Sequence, residues 1–179
     1  MRLKNLGFIC VCLLLFVISG SKFNYAKAEA IIQEDPEMVR QKKKQIMTMK
    51  EITVITTALA DYVTDNGIAP KQDGTYDENT EFCKALAPFY IRNLPIYDGW
   101  GNNYIVYCRE ACNGKYGISG CTSDDIVVIS YGRDGKKEDW EFDPYNPGAG
   151  LYELETLDDS DKDIVMWNGS WVRAPRPKR

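Results

Sequence analysis

Histidine is missing from all 179 residues. Without an imidazole the chain lacks the usual neutral-pH general base and every Ser-His or Cys-His nucleophile pair. Paired carboxylates are the remaining catalytic option, yet no spacing sets two of them across a cleft as glycoside hydrolysis needs. The expectation is a protein that is not an enzyme. Positive charge is also short: 22 Lys and Arg against 26 Asp and Glu, a net charge of -4. An acidic chain has no electrostatic footprint for phosphate backbones and is repelled by anionic membrane surfaces, so nucleic acid is excluded as a partner. No apolar run reaches the ~20 residues that cross a bilayer as a helix. Internal repeats, interdomain linkers and the paired Cys-x-x-Cys spacing of a four-thiolate zinc site are absent as well.

What is present begins with a leader. Arg2 and Lys4 precede an apolar run from Leu6 to Ile18, followed by small residues and two Ala-x-Ala sites, Ala26-Lys27-Ala28 and Ala28-Glu29-Ala30. This is the layout of a secretory signal peptide, expected over residues 1–28. The protein is therefore expected in the periplasm or outside the cell, with membrane attachment only if the leader is retained. Its loss removes four basic residues and no acidic one, taking the net charge to -8. Residues 29–179 are then enough for one domain with one respectable core. Cys10 and Cys12 leave with the leader, and Cys83, Cys108, Cys112 and Cys121 remain. An even count in an exported domain predicts two disulfides, with three connectivities open. Cys108 ends one expected strand and Cys121 opens the next, which favours Cys108–Cys121 with Cys83–Cys112.

Asp35-Pro36-Glu37 reads as a helix start, and Asn66-Gly67 with Pro70 as its end. Between them Val39, Ile46, Met49, Ile52, Ile55, Leu59 and Tyr62 recur at three- and four-residue steps, predicting one apolar stripe along a helix over about 36–66. A short helical turn is expected between Phe82 and Tyr90. Strands are expected over 103–108, 126–131, 151–157 and 163–167, with a turn at Asn168-Gly169 and a frayed tail from Arg173. The fold class is α+β: a long amphipathic helix on a small antiparallel sheet, disulfide-stabilised, with its β-rich part over about 95–171.

Four motifs stand in order along this frame. The helix closes on Tyr62-Val63-Thr64-Asp65-Asn66-Gly67-Ile68-Ala69-Pro70, and a turn follows at Asp98-Gly99-Trp100-Gly101-Asn102-Asn103-Tyr104. Then come Ser130-Tyr131-Gly132-Arg133-Asp134-Gly135 and the closing Asp163-Ile164-Val165-Met166-Trp167. Over residues 40–171 the chain resembles the C-terminal domain of the major pseudopilin of type II secretion systems. Two prolines of the family's Trp turn are replaced here by Gly99 and Asn103. The membrane-embedded half of the pilin helix is missing, and the stretch between Gly135 and the closing aspartates is longer than usual. A prepilin-type cut at Gly7-Phe8 would place Cys12 where the family carries Glu, which disfavours that processing.

The resemblance implies a calcium site in the C-terminal loop, built from Asp134 and Asp163, with Asp161 substituting for the family's carboxylate at Lys162. It also implies other pseudopilins or secretion-system proteins as partners, and a structural turn at Asp98, Trp100, Gly101 and Asn102. The expected function is assembly through protein–protein contacts in type II secretion. The alternative is a free-standing exported module binding a glycan, using aromatic residues such as Tyr97, Trp100, Tyr107, Trp140 and Trp171.

Overall fold

The computed structural model describes residues 35–176, so the expected leader lies outside the described residues. Helix α1 spans Pro36–Asn66, as predicted. Pro36 costs nothing in a first turn whose N–H groups lack partners, and Glu37 meets the positive end of the helix dipole. Gly67 ends the helix at φ 71°, its N–H bonding the carbonyl of Val63 at 2.7 Å. A residue with a side chain would be strained there.

The buried face of α1 keeps Ile52, Ile55 and Leu59 of the predicted stripe but departs from it in the N-terminal half. It includes Met38, Gln41, Gln45, Thr48, Ile52, Ile55 and Leu59, a regular alternation of three- and four-residue steps. Gln45 is 1% exposed while its apolar neighbour Ile46 is 53% exposed. Polar side chains occupy the N-terminal half of the core face because each meets a partner. Gln41 Oε1 accepts from the indole Nε1 of Trp100 at 2.7 Å, and Gln45 Nε2 donates to the Tyr152 hydroxyl at 2.9 Å. Gly99 N donates to Thr48 Oγ1 at 3.0 Å.

Six strands follow: β1 Asp73–Thr75, β2 Ile105–Cys108, β3 Ile126–Ser130, β4 Leu151–Tyr152, β5 Ile164–Trp167 and β6 Ser170–Pro175. A short helix, α2, Glu81–Leu86, lies between β1 and β2. The sheet order is β1-β2-β3-β5-β6-β4, and every pairing is antiparallel except β4 with β6. The sheet is thus mixed rather than antiparallel throughout. Asn168 and Gly169 take φ of 46° and 79°, the left-handed pair that a two-residue hairpin turn between β5 and β6 requires. Two other expectations change. The predicted strand over 151–157 shrinks to Leu151–Tyr152, and the supposedly frayed tail supplies β6, with Arg173 buried.

Strand alternation sorts the core into two layers. Val106, Cys108, Ile126, Val128, Ile164 and Met166 face α1, together with Ile52, Ile55, Leu59 and Tyr104. Ile105, Val127, Ile129, Val165 and Val172 form the opposite layer with Cys112, Tyr116 and Ile118, and Trp140 and Phe142 pack against it. Both faces being covered explains why all five residues of β3 are buried and its sequence reads as a continuous apolar run. The expected disulfides are not seen: among the described residues Cys83, Cys108, Cys112 and Cys121 are all thiols. Cys83 and Cys108 belong to the α1 layer, whereas Cys112 and Cys121 belong to the other.

The turn at residues 98–104 joins helix and sheet. A Cβ on Gly99 would stand 2.6 Å from the carbonyl oxygen of Lys44, so backbone rests directly on backbone there. Gly99→Ala should lower the unfolding free energy by about 1–3 kcal/mol, the cost of overpacking. The urea midpoint would fall at unchanged slope; an unmoved midpoint would show that the turn does not bear on α1.

Candidate functional site

Three of the four sequence motifs meet in one corner at the end of β3. Asp98, 4% exposed, is its centre. Its Oδ1 accepts from the backbone N–H groups of Trp100 and Asn102, both at 2.9 Å, and its Oδ2 from Ser130 Oγ at 2.6 Å. Ser130 Oγ in turn accepts from Gly132 N at 3.2 Å, and Asn102 Nδ2 donates to the Gly132 carbonyl at 2.7 Å. Asp98 and Asn102 therefore lock the turn to the Ser130–Gly135 segment. Gly101 follows the indole at φ 94°, which permits the reversal. Trp100 is partly buried against the α1 layer. All four predicted turn residues are brought together.

The three predicted calcium ligands are not. Asp161 is held by Arg133 in a two-point pair, Nε to Oδ1 at 2.6 Å and Nη2 to Oδ2 at 2.8 Å. Asp134 is exposed and accepts from Lys136 N at 3.0 Å. Asp163 is fully buried, its Oδ2 accepting from the Tyr116 hydroxyl and from Glu138 N, the latter at 2.9 Å. Lys162 pairs with Asp159 at 2.6 Å. The carbonyl oxygens of Ser160, Asp161 and Lys162 converge, each 2.8 Å from where a Gly132 Cβ would be. That point lies one bond from the Gly132 Cα, which leaves no room for an ion. Asp163 Oδ1 and Ser160 Oγ are buried without a hydrogen-bond partner, so two oxygens are spare. A Ca²⁺ shell needs six to eight. Among the described residues no group of three or more His, Cys, Asp or Glu is placed to hold a metal. Asp161 is thus engaged by a guanidinium, and nothing in this arrangement favours calcium at these carboxylates.

Sequence reasoning missed the network around Asp163. Tyr116 reaches it from a loop in which this non-glycine residue holds φ 50°, a conformation with a real backbone cost that tertiary contacts must support. Glu138 pairs with Arg173 through Nε at 3.0 Å, and Arg173 lies 5.1 Å from the Trp140 ring and 5.0 Å from that of Tyr152. Tyr152 accepts from Gln45 of α1. The chain of contacts Gln45–Tyr152–Arg173–Glu138–Asp163–Tyr116 thus runs from the helix through the sheet to the far layer. Burial raises the Asp163 carboxyl to about 6, with Tyr116 and the Glu138 N–H pulling the other way and the charges of Glu138 and Asp134 adding to the rise.

A separate surface lies along α1. A groove of about 540 Å³ is lined by Ile46, Met49, Thr53, Leu154, Trp171 and Pro175. Lys42, Lys50, Glu153 and Arg176 stand at its border. Ile46, Met47 and Val54 are the exposed large apolar side chains of α1. Of these, Ile46 was expected on the core face and lies outside it, next to the buried Gln45. No protein-family model matches the chain, and no curated protein matches it at a significant level.

Two outcomes test this geometry. Asp163 has a folded-state pKa above its unfolded value, so the folded state holds the extra proton between about pH 4 and 6. Its contribution to stability is fully present below that window and is lost as pH rises through it. Relative to Asp163→Asn, the native protein should lose stability from pH 4 to pH 7; parallel urea midpoints across that range would refute the assignment. The melting temperature should be the same in calcium and in chelator, and a calcium-dependent rise would show that the shell assembles after all.

Proposed function

We propose that this protein is a non-enzymatic, exported, pseudopilin-like component that works by protein–protein contacts in type II secretion or a related pilus-type assembly. Its α+β layout, with one long helix laid on a sheet, is compatible with a pilin-like head. The convergence of the Asp98, Ser130 and Asp163 motifs in one corner gives their order in the sequence a structural reason.

The observation that carries the proposal is the apolar face left outside on α1. In a globular domain, contiguous apolar surface on a helix marks a contact site. Ile46, Met49 and Trp171 form such a surface within one groove. Its lining also includes Lys50 and Arg176 against Glu153, an excess of positive charge in a chain of negative net charge. The occupant is an amphipathic segment of another pseudopilin or secretion-system protein, apolar at its centre and acidic at its edges.

A glycan-binding module is the weaker reading. Stacking on a sugar needs free aromatic faces with nearby donors. Here the Trp100 indole donates to Gln41, the Trp167 indole donates to Asp125 at 2.8 Å, and Trp140 stacks with Arg173. The exposed rings are Phe89, Tyr97 and Tyr145, and Phe89 packs edge-on against Tyr90 at 4.9 Å.

A photo-crosslinking residue at Ile46, expressed in the cells of origin, should form an adduct with a pilin-like or secretion-system protein identified by mass spectrometry. Lys50→Glu, made in that labelled chain, should weaken the adduct several-fold. The mature N-terminus in the same sample should be Glu29 or Ile31. Adducts only with glycan-bearing molecules would replace this reading with the binding-module one.

A further inference from the structure

Two of the four cysteines are brought together by the loop between β2 and β3. After β2 ends at Cys108, a one-turn 3-10 helix, Arg109–Cys112, carries Cys112 over to the far layer, where it is fully buried. The loop then folds back on itself. Gly114 N bonds Ile118 O at 2.8 Å, and Ile118 N bonds Lys115 O at 3.0 Å. Cys121 N donates to Asn113 Oδ1 at 3.0 Å, which returns residue 121 to the side of residue 112. At the base of the loop, Arg109 N bonds Asp125 O at 2.8 Å, so both ends are tied together. Cys121 is only partly buried and packs against the same layer as Cys112. Burial raises both thiols, and the Cys112 side chain interacts directly with that of Cys121, offsetting part of its rise.

We propose that Cys112 and Cys121 are a disulfide-forming pair that closes the loop presenting Tyr116 to Asp163, while Cys83 and Cys108 stay reduced. The oxidant is a disulfide carrier of the thiol–disulfide exchange class, such as oxidised glutathione or an exported oxidoreductase. Cys121, the accessible member, loses its proton to solvent, and its thiolate attacks the carrier disulfide. That S–S bond breaks, a mixed disulfide forms and one carrier thiolate departs. Cys112 then loses its proton and attacks the Cys121 sulfur, releasing the second carrier thiol. Two protein thiols are oxidised by two electrons, one carrier disulfide is reduced to two thiols, and the protons balance.

Two features favour this pair over the rest. Cys83 and Cys108 are buried in the α1 layer, where no carrier reaches them without unfolding. Closing residues 112–121 also restrains the loop that must hold Tyr116 at φ 50°, so the bond supports a conformation that costs free energy on its own. The pairing goes beyond the proposed assembly role and does not depend on it.

Trypsin separates all four cysteines: residues 72–84 carry Cys83, 93–109 carry Cys108, 110–115 carry Cys112 and 116–133 carry Cys121. Purified full-length mature protein is incubated with oxidised glutathione, free thiols are blocked at acid pH, and the unreduced digest is mapped by mass spectrometry. The expected product is peptide 110–115 joined to peptide 116–133, with Cys83 and Cys108 carrying the blocking group. Cys83→Ser should leave that link intact, and Cys121→Ser should leave Cys112 blocked or glutathionylated. Full blocking of all four thiols after exchange, or any link through peptide 72–84, would overturn the proposal. Crosslinking through Ile46 reports on the assembly role separately.

Discussion

The fold depends on a polar contact: the face that α1 turns inward through its first three turns is made of amides and a hydroxyl. Gln41, Gln45 and Thr48 are all nearly or fully buried. A buried polar group left without a partner costs about 1–3 kcal/mol, more than most single apolar contacts return. The helix can therefore dock only where partners exist, and the Trp100 indole, the Gly99 N–H and the Tyr152 hydroxyl supply them. Apolar packing along Ile52, Ile55 and Leu59 would tolerate small rotations of the helix. The directional bonds of the N-terminal half would not, so they set its rotation. Gln45 Oε1, like Thr56 Oγ1 further along the helix, is buried without a hydrogen-bond partner, so the arrangement is not fully satisfied.

The second constraint is that the sheet has no solvent face. α1 covers one side, and the loops of residues 109–121 and 131–150 cover the other with Tyr116, Ile118, Trp140 and Phe142. Those loops are rich in turn residues, and the second is acidic, so they read as solvated, yet they supply a core layer. That layer explains why Gly150 is glycine: a Cβ there would stand 1.8 Å from the Val172 carbonyl oxygen. It also explains the division of the cysteines, which follows strand parity. Cys108 shares the parity of Val106, and the chain must turn through Arg109, at φ 63°, to set Cys112 on the other side.

Legibility in the sequence followed how local each cause was. The limits of α1 were readable because Pro36 and Gly67 act within one turn, and β3 was readable because five adjacent apolar residues need no partner to identify them. The Asn168-Gly169 hairpin was readable for the same reason. The inward face of α1 was not, since a hydrophobicity pattern assigns Ile46 to the core and Gln45 to water. Their exchange depends on Tyr152, more than a hundred positions away. β6 was hidden because Arg173 looks like tail, and only its pairing with Glu138 permits burial. At the candidate site the turn residues were found through their motif, but the Asp163 network was not: Tyr116 and Glu138 carry no signal until the fold brings them together.

Internal ion pairs offset part of the acidity of this loop. Asp161 and Glu138, flanking Asp163 in space, are each matched by an internal guanidinium, Arg133 and Arg173. The two pairs are not equivalent. Arg133–Asp161 is about one-third exposed on both partners, so solvent screens it and its net worth is about 0.5–1 kcal/mol. Arg173 is more deeply enclosed and also packs on two aromatic rings. Removing either of its partners would strand a buried charge, which costs more than the pair gains. The far layer thus closes around a cation belonging to the chain itself. Arg173 lies on β6 and Glu138 in the loop, so docking the loop and pairing the last strand become one cooperative event. Asp163, fully buried beside these pairs, holds its proton more tightly chiefly because burial disfavours its charge, with the charges of Glu138 and Asp134 adding to the effect.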